Sequence, residues 1–369
     1  MKNKAYWIWL AGISGIGAKR VKKLLDYFKE PKGIWEAGRE EINRVEGIGP
    51  KLSRQIIVSR RKFDFEAKRK KLKEFGIKVV TWADKCYPKQ LREIYNAPPV
   101  LYYRGSIKGL GLPCVSIVGT RRCTDYGRGV ARKLARELAG VGIPIISGLA
   151  RGIDTTAHQG ALETGITYAI LGSGLDITYP PENKKLKEKI ENQGGVISSF
   201  PPGEEPLPKN FPARNRIISG LARGVVVIEA PEKSGALITA DFALEQGREV
   251  MAVPGDIARE QSQGTNKLIK KGAKIVRQVE DIVEELSFGT GSQRKNIREW
   301  DFSAKKTKSP SLSPKADQVY DLLSSKPRQF ERLLEEVNFN SQQLNSLLLK
   351  LEIKGLVSRL PGRKFKVKI

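Results

Sequence analysis

The sequence predicts an α/β protein in which a doubly wound, mainly parallel sheet forms the main domain. Between residues 111 and 286, apolar runs rich in β-branched residues alternate with segments of helical period. Residues 1–80 carry two glycine-containing turns that each precede a helix, and residues 316–369 show three helical segments before a short hairpin. We therefore expect a sheet domain flanked by a small helical module and a small helix-plus-hairpin domain.

The helical module at 1–80 contains an internal repeat. Segments 13–28 and 45–57 each read Gly-Ile-Gly, a small residue or proline, lysine and then a helix. The pattern resembles the SAM-like helix-hairpin-helix motif, in which two glycines permit a tight turn and the next helix offers free N–H groups to a phosphate. If that phosphate belongs to DNA, this module would add a second set of contacts to those of the sheet domain. The candidate residues are Gly15, Gly17, Lys19, Gly47, Gly49 and Lys51. The same hairpins would also serve helix packing or protein binding, and these alternatives stay open.

The segment that leads into the sheet domain is basic and then rich in proline. Residues 59–78 have helical period and a strongly basic outer face, which is either a solvated surface or a phosphate contact. Residues 81–110 contain a pair of adjacent prolines and Gly105, which predict an extended connector.

The sheet domain at 111–286 is expected to contain six or seven mainly parallel strands. The candidate strands lie at 115–119, 143–147, 167–171, 195–198, 225–230, 249–253 and 273–276. Helical patterns separate most of them, which is typical of right-handed βαβ connections in a doubly wound sheet.

The end of the chain is expected to hold a linker and one more domain. Residues 287–315 are rich in Ser, Lys, Gly and Pro without periodicity, which predicts a flexible basic linker. In 316–369, helices at about 317–324, 330–337 and from 340 onward precede two strands around Pro361-Gly362. This arrangement resembles a winged helix, whose third helix reads DNA in some proteins, whereas other winged helices bind proteins.

The charge of the chain indicates a polyanionic partner. Lys and Arg number 66 against 40 Asp and Glu, giving +26. Residues 1–80 carry 21 basic and 9 acidic side chains, whereas 81–286 carry 28 and 23, so the sheet domain is nearly balanced. Nucleic acid is the first candidate partner and an acidic membrane surface the second.

The composition also bears on the cellular compartment of the protein and on whether it binds a metal. The 3 cysteines and single histidine show no metal-ligand spacing, and so sparse a cysteine content suits a reducing compartment. We find no signal peptide pattern and no apolar run of about 18 residues, so we expect a cytoplasmic protein without a membrane segment.

A crevice at the carboxyl ends of the first two predicted parallel strands is the candidate binding site. Ligands of doubly wound sheets bind at this edge. The turns that follow residues 115–119 and 143–147 are basic and rich in small residues, which favours a phosphate ligand. A third loop, at 211–216, places arginines at a predicted helix start beside an aromatic ring that would stack on bases. The candidate DNA-binding residues are Gly119, Thr120, Arg121, Arg122, Ser147, Gly148, Arg151, Phe211, Arg214, Asn215, Arg216 and, at another predicted helix start, Lys267.

The sequence indicates neither a nucleotide cofactor nor a catalytic set. The first turn, GTRRCTDYGRG, is not G-x-G-x-x-G, no acid follows the second strand, and no Walker lysine motif is present. Asp154 and His158 are i,i+4 neighbours on a predicted helix, which suits either a general base or a brace between helix and loop. Glu229 is either a site acid or an acceptor for the backbone at Ser234-Gly235.

Six motifs in this order resemble the DNA-processing protein A family, DprA or Smf. They are IVGTRRCTDYG, SGLARGIDTTAH, LGSGLDITYP, FPARNRIISGL, VVVIEAPEKSGALITA and VPG, within residues 85–286. One departure is visible, because Ser198-Ser199-Phe200 stands where the family usually has Ser-Glu and an aromatic residue. The terminal modules are similar to those of longer family members.

The resemblance implies an extended Rossmann-like domain that binds single-stranded DNA without sequence preference and forms a homodimer. It further implies a cytoplasmic protein that protects incoming DNA and loads RecA in natural transformation, without cofactor, metal or turnover. This hypothesis predicts that Arg121→Ala or Arg214→Ala weakens oligothymidine binding about tenfold or more while the fold is kept. Two alternatives are a nucleotide-binding enzyme of the phosphoribohydrolase type and a duplex-specific regulator that acts through 316–369.

Overall fold

The structure is a computed structural model that describes residues 2–287, 314–324, 328–337, 339–353, 356–360 and 362–367. The chain divides into two compact units, residues 1–300 and 301–369, and each is described by itself. Of the predicted linker at 287–315, residues 288–313 lie outside the described residues.

The first unit begins with six helices. They are α1 (Lys2–Ala11), α2 (Ala18–Phe28), α3 (Pro31–Glu36), α4 (Arg39–Asn43), α5 (Pro50–Lys62) and α6 (Phe65–Glu74). The predicted repeat is present as two matching turns, because Gly15 and Gly47 both have φ of 80°, a conformation that favours glycine. Arg20 joins the two turns by donating hydrogen bonds to the carbonyl oxygens of Gly15 (2.6 Å) and Gly47 (3.3 Å).

The sheet follows, with nine strands among the described residues of the first unit. They are β1 (Lys78–Thr81), β2 (Val100–Gly105), β3 (Val115–Val118), β4 (Ile145–Ser147), β5 (Thr167–Leu171), β6 (Gly195–Ser198), β7 (Gly224–Val227), β8 (Glu249–Ala252) and β9 (Lys274–Ile275). Their order is β1-β2-β6-β5-β4-β3-β7-β8-β9. All seven predicted strands are present and pair in parallel, so the predicted fold class is confirmed.

The sheet extends further than the sequence analysis predicted. Strand β1 falls at the end of the predicted helical module, and β2 falls inside the segment predicted as a connector. Strand β2 pairs antiparallel with both β1 and β6. The adjacent prolines, Pro98 and Pro99, end just before β2 begins, so they leave every ladder N–H of that strand available.

Helices cover both faces of the sheet. They are α7 (Lys89–Arg92), α8 (Asp125–Gly140), α9 (Ile153–Ala161), α10 (Lys184–Gln193), α11 (Asn210–Leu221), α12 (Gly235–Glu245), α13 (Glu260–Lys270) and α14 (Val279–Ser287). Alternation along β7 shows the two layers, since Val226 packs in the core formed with α8, α9 and α14, whereas Val225 packs in the core formed with α11 and α12. Apolar side chains of α1 to α5 share a third core with β2 and β5, so the helical module packs directly on the sheet.

The second unit has its own core and small sheet. Its elements are α15 (Pro314–Ser324), β10 (Arg328–Gln329), α16 (Phe330–Glu336), α17 (Ser341–Ile353), β11 (Val357–Leu360) and β12 (Lys364–Val367). The strands pair antiparallel in the order β10-β12-β11 around a core that includes Phe330, Leu344 and Phe365. The predicted three helices and hairpin are confirmed, and the short strand β10 adds a third strand to the wing.

Candidate nucleic-acid interface

A cleft opens at the carboxyl ends of the parallel strands in the centre of the sheet. It encloses about 680 Å³ and is lined by the turn after β3, the start of α9, the first half of α11 and the loop that leads into α12. The predicted residues Gly119, Thr120, Arg121, Arg122, Phe211, Arg214 and Asn215 all line it. Because the strands β3, β4 and β7 are adjacent and parallel, their following loops converge at one edge.

Two glycines let the loops pack closely beneath the cleft. A Cβ atom on Gly119 would lie 2.5 Å from Ile153 Cγ1 and 2.9 Å from the Glu229 carbonyl oxygen. A Cβ atom on Gly148 would lie 2.6 Å from the Arg214 guanidinium and 2.7 Å from an Asp154 carboxylate oxygen. These glycines therefore serve the approach of neighbouring loops, a role that the sequence analysis did not assign to them.

One exposed cation of the cleft, Arg121, lies beside an aromatic ring. The guanidinium of Arg121 lies 5.4 Å from the centroid of the Phe211 ring, and the Tyr179 ring lies 5.7 Å from the same centroid. Arg121 and Arg122 are both exposed, and the Arg122 N–H donates to Thr120 Oγ1 at 3.2 Å, which shapes the turn. Charge and an aromatic face thus meet at one place on the surface.

Arg214 lies at the floor of the cleft and is not at the helix start where the sequence predicted it. Helix α11 begins at Asn210, which puts Arg214 in its second turn, and only 4% of the arginine is exposed. Its Nη1 donates to the carbonyl oxygens of Gly148 and Ile170, each at 2.5 Å. Burial lowers the pKa of Arg214 to about 10, against the opposing effect of Asp154, so the side chain stays charged at neutral pH.

The two residues after Arg214 lie in different surroundings. Asn215 faces the cleft, where its Nδ2 donates to the Gly235 carbonyl oxygen at 3.2 Å. Arg216 is half-buried outside the cleft lining, close enough to Tyr87 for the two side chains to interact electrostatically, and burial lowers its pKa. The prediction that Arg216 joins the same site is not supported by its position.

Asp154 organises the turn after β4. Its carboxylate is buried and accepts hydrogen bonds from the N–H groups of Gly148 (3.1 Å) and Ala150 (3.4 Å). Burial raises the pKa of Asp154, while Arg214 and these N–H donors act in the opposite direction. Asp154 and Arg214 therefore form one buried polar network that holds the loops of the cleft in place.

His158 braces the sheet from helix α9. Thr167 donates its hydroxyl proton to the Ile145 carbonyl oxygen at 2.8 Å, so its oxygen accepts from His158 Nδ1 at 2.7 Å. The imidazole is fully buried, and this burial lowers the pKa of His158 to about 3. Of the two predicted roles, the geometry favours the brace, because the imidazole is neutral and bonds to Thr167 rather than to Asp154.

Glu229 caps a helix instead of facing the ligand. Its buried carboxylate accepts hydrogen bonds from the Thr124 N–H (2.9 Å) and hydroxyl (2.5 Å) at the start of α8. A carboxylate at a helix N-terminus is favoured by the helix dipole. The alternative that Glu229 accepts from the backbone at Ser234 and Gly235 is not realised, since the Ser234 N–H donates to the Pro231 carbonyl oxygen at 3.0 Å.

The remaining predicted cations, Arg151 and Lys267, lie at the margin of the cleft or outside it. Arg151 is exposed beside the cleft entrance and forms an ion pair with Glu182. Lys267 is in the last turn of α13, not at a helix start as predicted, and pairs with Glu232 at 3.1 Å outside the cleft lining. Ser147 is fully buried and donates to the Ile117 carbonyl oxygen, so its role is to join β4 to β3.

Two side chains that the structure brings to the site were not among the residues predicted from the sequence. Tyr179 packs against Phe211, and Lys233 lines the cleft next to the start of α12. Tyr179 lies inside the motif LGSGLDITYP, and that aromatic residue was the available signal. Lys233 carries no signal in the sequence, because its proximity depends on the folding of the loop after β7.

The helical module presents its predicted contacts on a separate surface. Gly17 and Gly49 cap α2 and α5 with matching extended backbone, and the adjacent Lys19 and Lys51 are exposed. All residues that line the cleft come from 118–263, so the module supplies none of them.

Neither a metal cluster nor a bilayer-spanning helix is found in the described part of the chain. No group of three or more His, Cys, Asp or Glu side chains there has the geometry to hold a metal ion. The helices within the same residues are too short or too polar to cross the hydrocarbon core of a bilayer.

Models of known protein families match all three parts of the chain that the sequence pattern distinguished. The family model described as DNA recombination-mediator protein A matches residues 78–287, more than half of the chain. This chain belongs to the DprA family. The model of the DprA winged helix domain matches 303–363, and that of the SAM-like helix-hairpin-helix tandem matches 10–62.

Relatives and solved structures of the DprA family agree with this assignment. Protein Smf of Synechocystis sp. is 35% identical over 395 residues, which covers 98% of both chains. The crystal structure of DNA processing protein A from Streptococcus pneumoniae has a TM-score of 0.69 at 38% identity and covers 76% of this chain and 97% of that one. A structure from Helicobacter pylori, described for its single-stranded DNA binding mode, has a TM-score of 0.52 at 32% identity and covers 57% and 95%.

Proposed function

We propose that the cleft binds single-stranded DNA without sequence preference. The observation that carries this proposal is the position of exposed Arg121 over the half-buried Phe211 ring, with Arg122 beside them. Cations that attract phosphates, placed next to a ring on which a base stacks, are the two elements of sequence-tolerant binding to single strands. The single-stranded DNA binding described for the Helicobacter pylori relative supports the same assignment.

We also propose that the protein binds and positions DNA without catalysing a reaction on it. The three side chains that the sequence offered for acid or base chemistry, Asp154, His158 and Glu229, each make structural hydrogen bonds to neighbouring backbone or hydroxyl groups. The phosphoribohydrolase alternative is tested by incubating the protein with nucleoside monophosphates. Release of free base at a rate that depends on Glu229 would establish the enzyme and overturn the binding-only role.

We further propose that the protein protects incoming DNA and loads RecA in natural transformation, as a cytoplasmic homodimer. Family membership supports this role. Helix α12 supports an interface with a protein partner, because Leu244 is exposed on it at 61% and lies outside the cleft lining. A monomer observed by sedimentation at micromolar concentration would refute the homodimer. RecA filaments that form on coated DNA equally fast with and without the protein would refute the loading role.

The direct test of the DNA site is Arg121→Ala with fluorescent oligothymidine. We expect affinity to fall by about tenfold, equivalent to about 1.4 kcal/mol, because the substitution removes one phosphate contact and the cation beside the ring. Arg132→Ala is the matched control, since Arg132 is an exposed arginine on α8 outside the cleft lining. Equal binding by the two variants would place the DNA site elsewhere.

A further inference from the structure

A second concave surface lies where the helical module meets the edge of the sheet. It encloses about 720 Å³ between α1, the turn after α5, α6 and the edge strand β1. Its apolar side chains include Tyr6, Phe63, Phe65, Leu72, Ile77 and Val79. We call this surface the α6 groove, and it shares no lining residue with the cleft.

Helix α6 is incompletely covered along this groove. None of its side chains is buried, although it contains Phe65 and Leu72. The α6 residues that line the groove are Phe65, Glu66, Lys68, Arg69, Leu72 and Lys73, at positions i, i+1, i+3, i+4, i+7 and i+8 along one side of the helix. Leu72 packs in part on the core beneath it, and both Phe65 and Leu72 are half-buried, so each keeps apolar surface that a partner can cover.

The floor of the groove suits aliphatic and aromatic side chains better than stacked bases. Phe65 already contacts Tyr6 at 5.2 Å and Phe63 at 4.9 Å between ring centroids, both edge to face. Trp35 is a third ring around Phe65, at 4.9 Å, so Phe65 leaves less open face for a base than Phe211, which contacts the ring of Tyr179 in the cleft. The aliphatic side chains of Leu72 and Val79 complete a floor that favours an apolar anchor.

The backbone edge beside the groove is already occupied. Strand β1 is the outermost strand of its sheet, but Lys4 Nζ donates to the carbonyl oxygen of Val79 at 2.8 Å. A charged side chain on an edge strand obstructs the addition of another strand. A partner is therefore recognised through its side chains, as in helix-in-groove binding, rather than by extending the sheet.

The rim of the groove is cationic. Lysines and arginines contribute five lining residues, whereas Glu66 is the single acid among them. Lys4 pairs with Asp84 at 3.0 Å and Arg69 with Glu66 at 3.6 Å. Within the described residues, the exposed Lys68 and Lys73 have no ion-pair partner, so they carry positive charge that a ligand can neutralise.

We propose that the α6 groove is a docking site for an acidic amphipathic segment of a partner protein. Leu, Ile or Phe side chains of the segment fill the floor formed by Phe65, Leu72 and Val79, and its carboxylates pair with Lys68 and Lys73. Charge complementarity and the half-buried apolar surface of Phe65 and Leu72 select this occupant. The site is independent of the proposed DNA cleft, because the two surfaces have separate linings.

The test uses the full chain and a phage-displayed library of random peptides about twelve residues long, the length of three helical turns. Synthetic versions of the enriched peptides are then measured by fluorescence anisotropy against two charge-reversed variants. The groove variant is Lys68→Glu/Lys73→Glu. The matched control is Lys62→Glu/Lys70→Glu, which changes the net charge equally at exposed lysines outside the groove lining.

We expect enriched peptides to combine Asp or Glu with Leu, Ile or Phe, and to bind the groove variant at least tenfold more weakly than the control. Circular dichroism of both variants checks that the fold is kept. Enrichment of peptides without acidic residues, failure to enrich any peptide, or equal binding to both variants overturns the proposal. Weaker oligothymidine binding by the groove variant alone also overturns it, because the groove would then be a DNA surface.

Discussion

Arg214 donates a hydrogen bond from its buried guanidinium to the carbonyl oxygen of Gly148, at 2.5 Å. The bond joins α11 to the turn after β4, and the same nitrogen also bonds the Ile170 carbonyl oxygen on β5. Three chain segments that are distant in sequence are thereby held together under the cleft. The buried Arg214 thereby supports the Phe211 ring and the loops around the exposed Arg121, the residue that we propose binds DNA.

Replacement of Arg214 by alanine is expected to destabilise the fold, contrary to the expectation from sequence that the fold would be kept. The substitution leaves two buried carbonyl oxygens without their donor and removes the positive charge that interacts with the buried Asp154 carboxylate, which should cost about 3–5 kcal/mol. Urea denaturation measures this loss, with Arg121→Ala as the exposed comparison, for which the change should stay within about 0.5 kcal/mol. An Arg214→Ala protein of normal stability that binds DNA poorly would show that Arg214 contacts the ligand directly.

Replacement of Phe211 separates stacking from charge. Phe211→Ala should weaken oligothymidine binding by about 1–3 kcal/mol, because a stacked base loses its platform. Phe211→Tyr keeps the ring and serves as the conservative variant, with binding close to that of the unchanged protein. Fluorescence anisotropy at constant salt gives both affinities. If alanine and tyrosine bind equally well, bases do not stack on this ring.

The buried His158 predicts sensitivity to acid. Burial lowers its pKa from 6.5 to about 3, so below about pH 6.5 the unfolded chain takes up a proton that the folded chain does not. The contribution of the neutral His158 to the free energy of unfolding is therefore fully present above pH 6.5. It declines as the pH falls toward 3, by up to about 1.4 kcal/mol per pH unit.

Urea denaturation across this pH range tests that effect with His158→Asn, whose amide retains a donor toward Thr167. We expect the variant to lose less stability than the unchanged protein between pH 6 and pH 4, roughly 2 kcal/mol less. Identical pH profiles for the two proteins would show that His158 does not control acid unfolding.

Much of the fold could be predicted because its signals are local. The apolar β-branched runs and the helices between them identified seven strands and their parallel pairing. The repeated glycine turns at Gly15 and Gly47 were equally recognisable, since their φ of 80° favours the residue that has no Cβ. Strand β2 was missed because its place between β1 and β6 depends on non-local antiparallel pairing.

The sequence by itself determined the family motifs, the strand-turn-helix order and the gathering of Arg121, Arg122 and Phe211 at one edge of the sheet. Only the tertiary structure decided which polar side chains face the cleft. Arg214 turns inward, Glu229 caps α8 and Lys267 lies at the far end of α13. The reason is physical: a motif specifies residue types along the chain, whereas burial and hydrogen-bond partners arise from segments that meet only when the sheet is assembled.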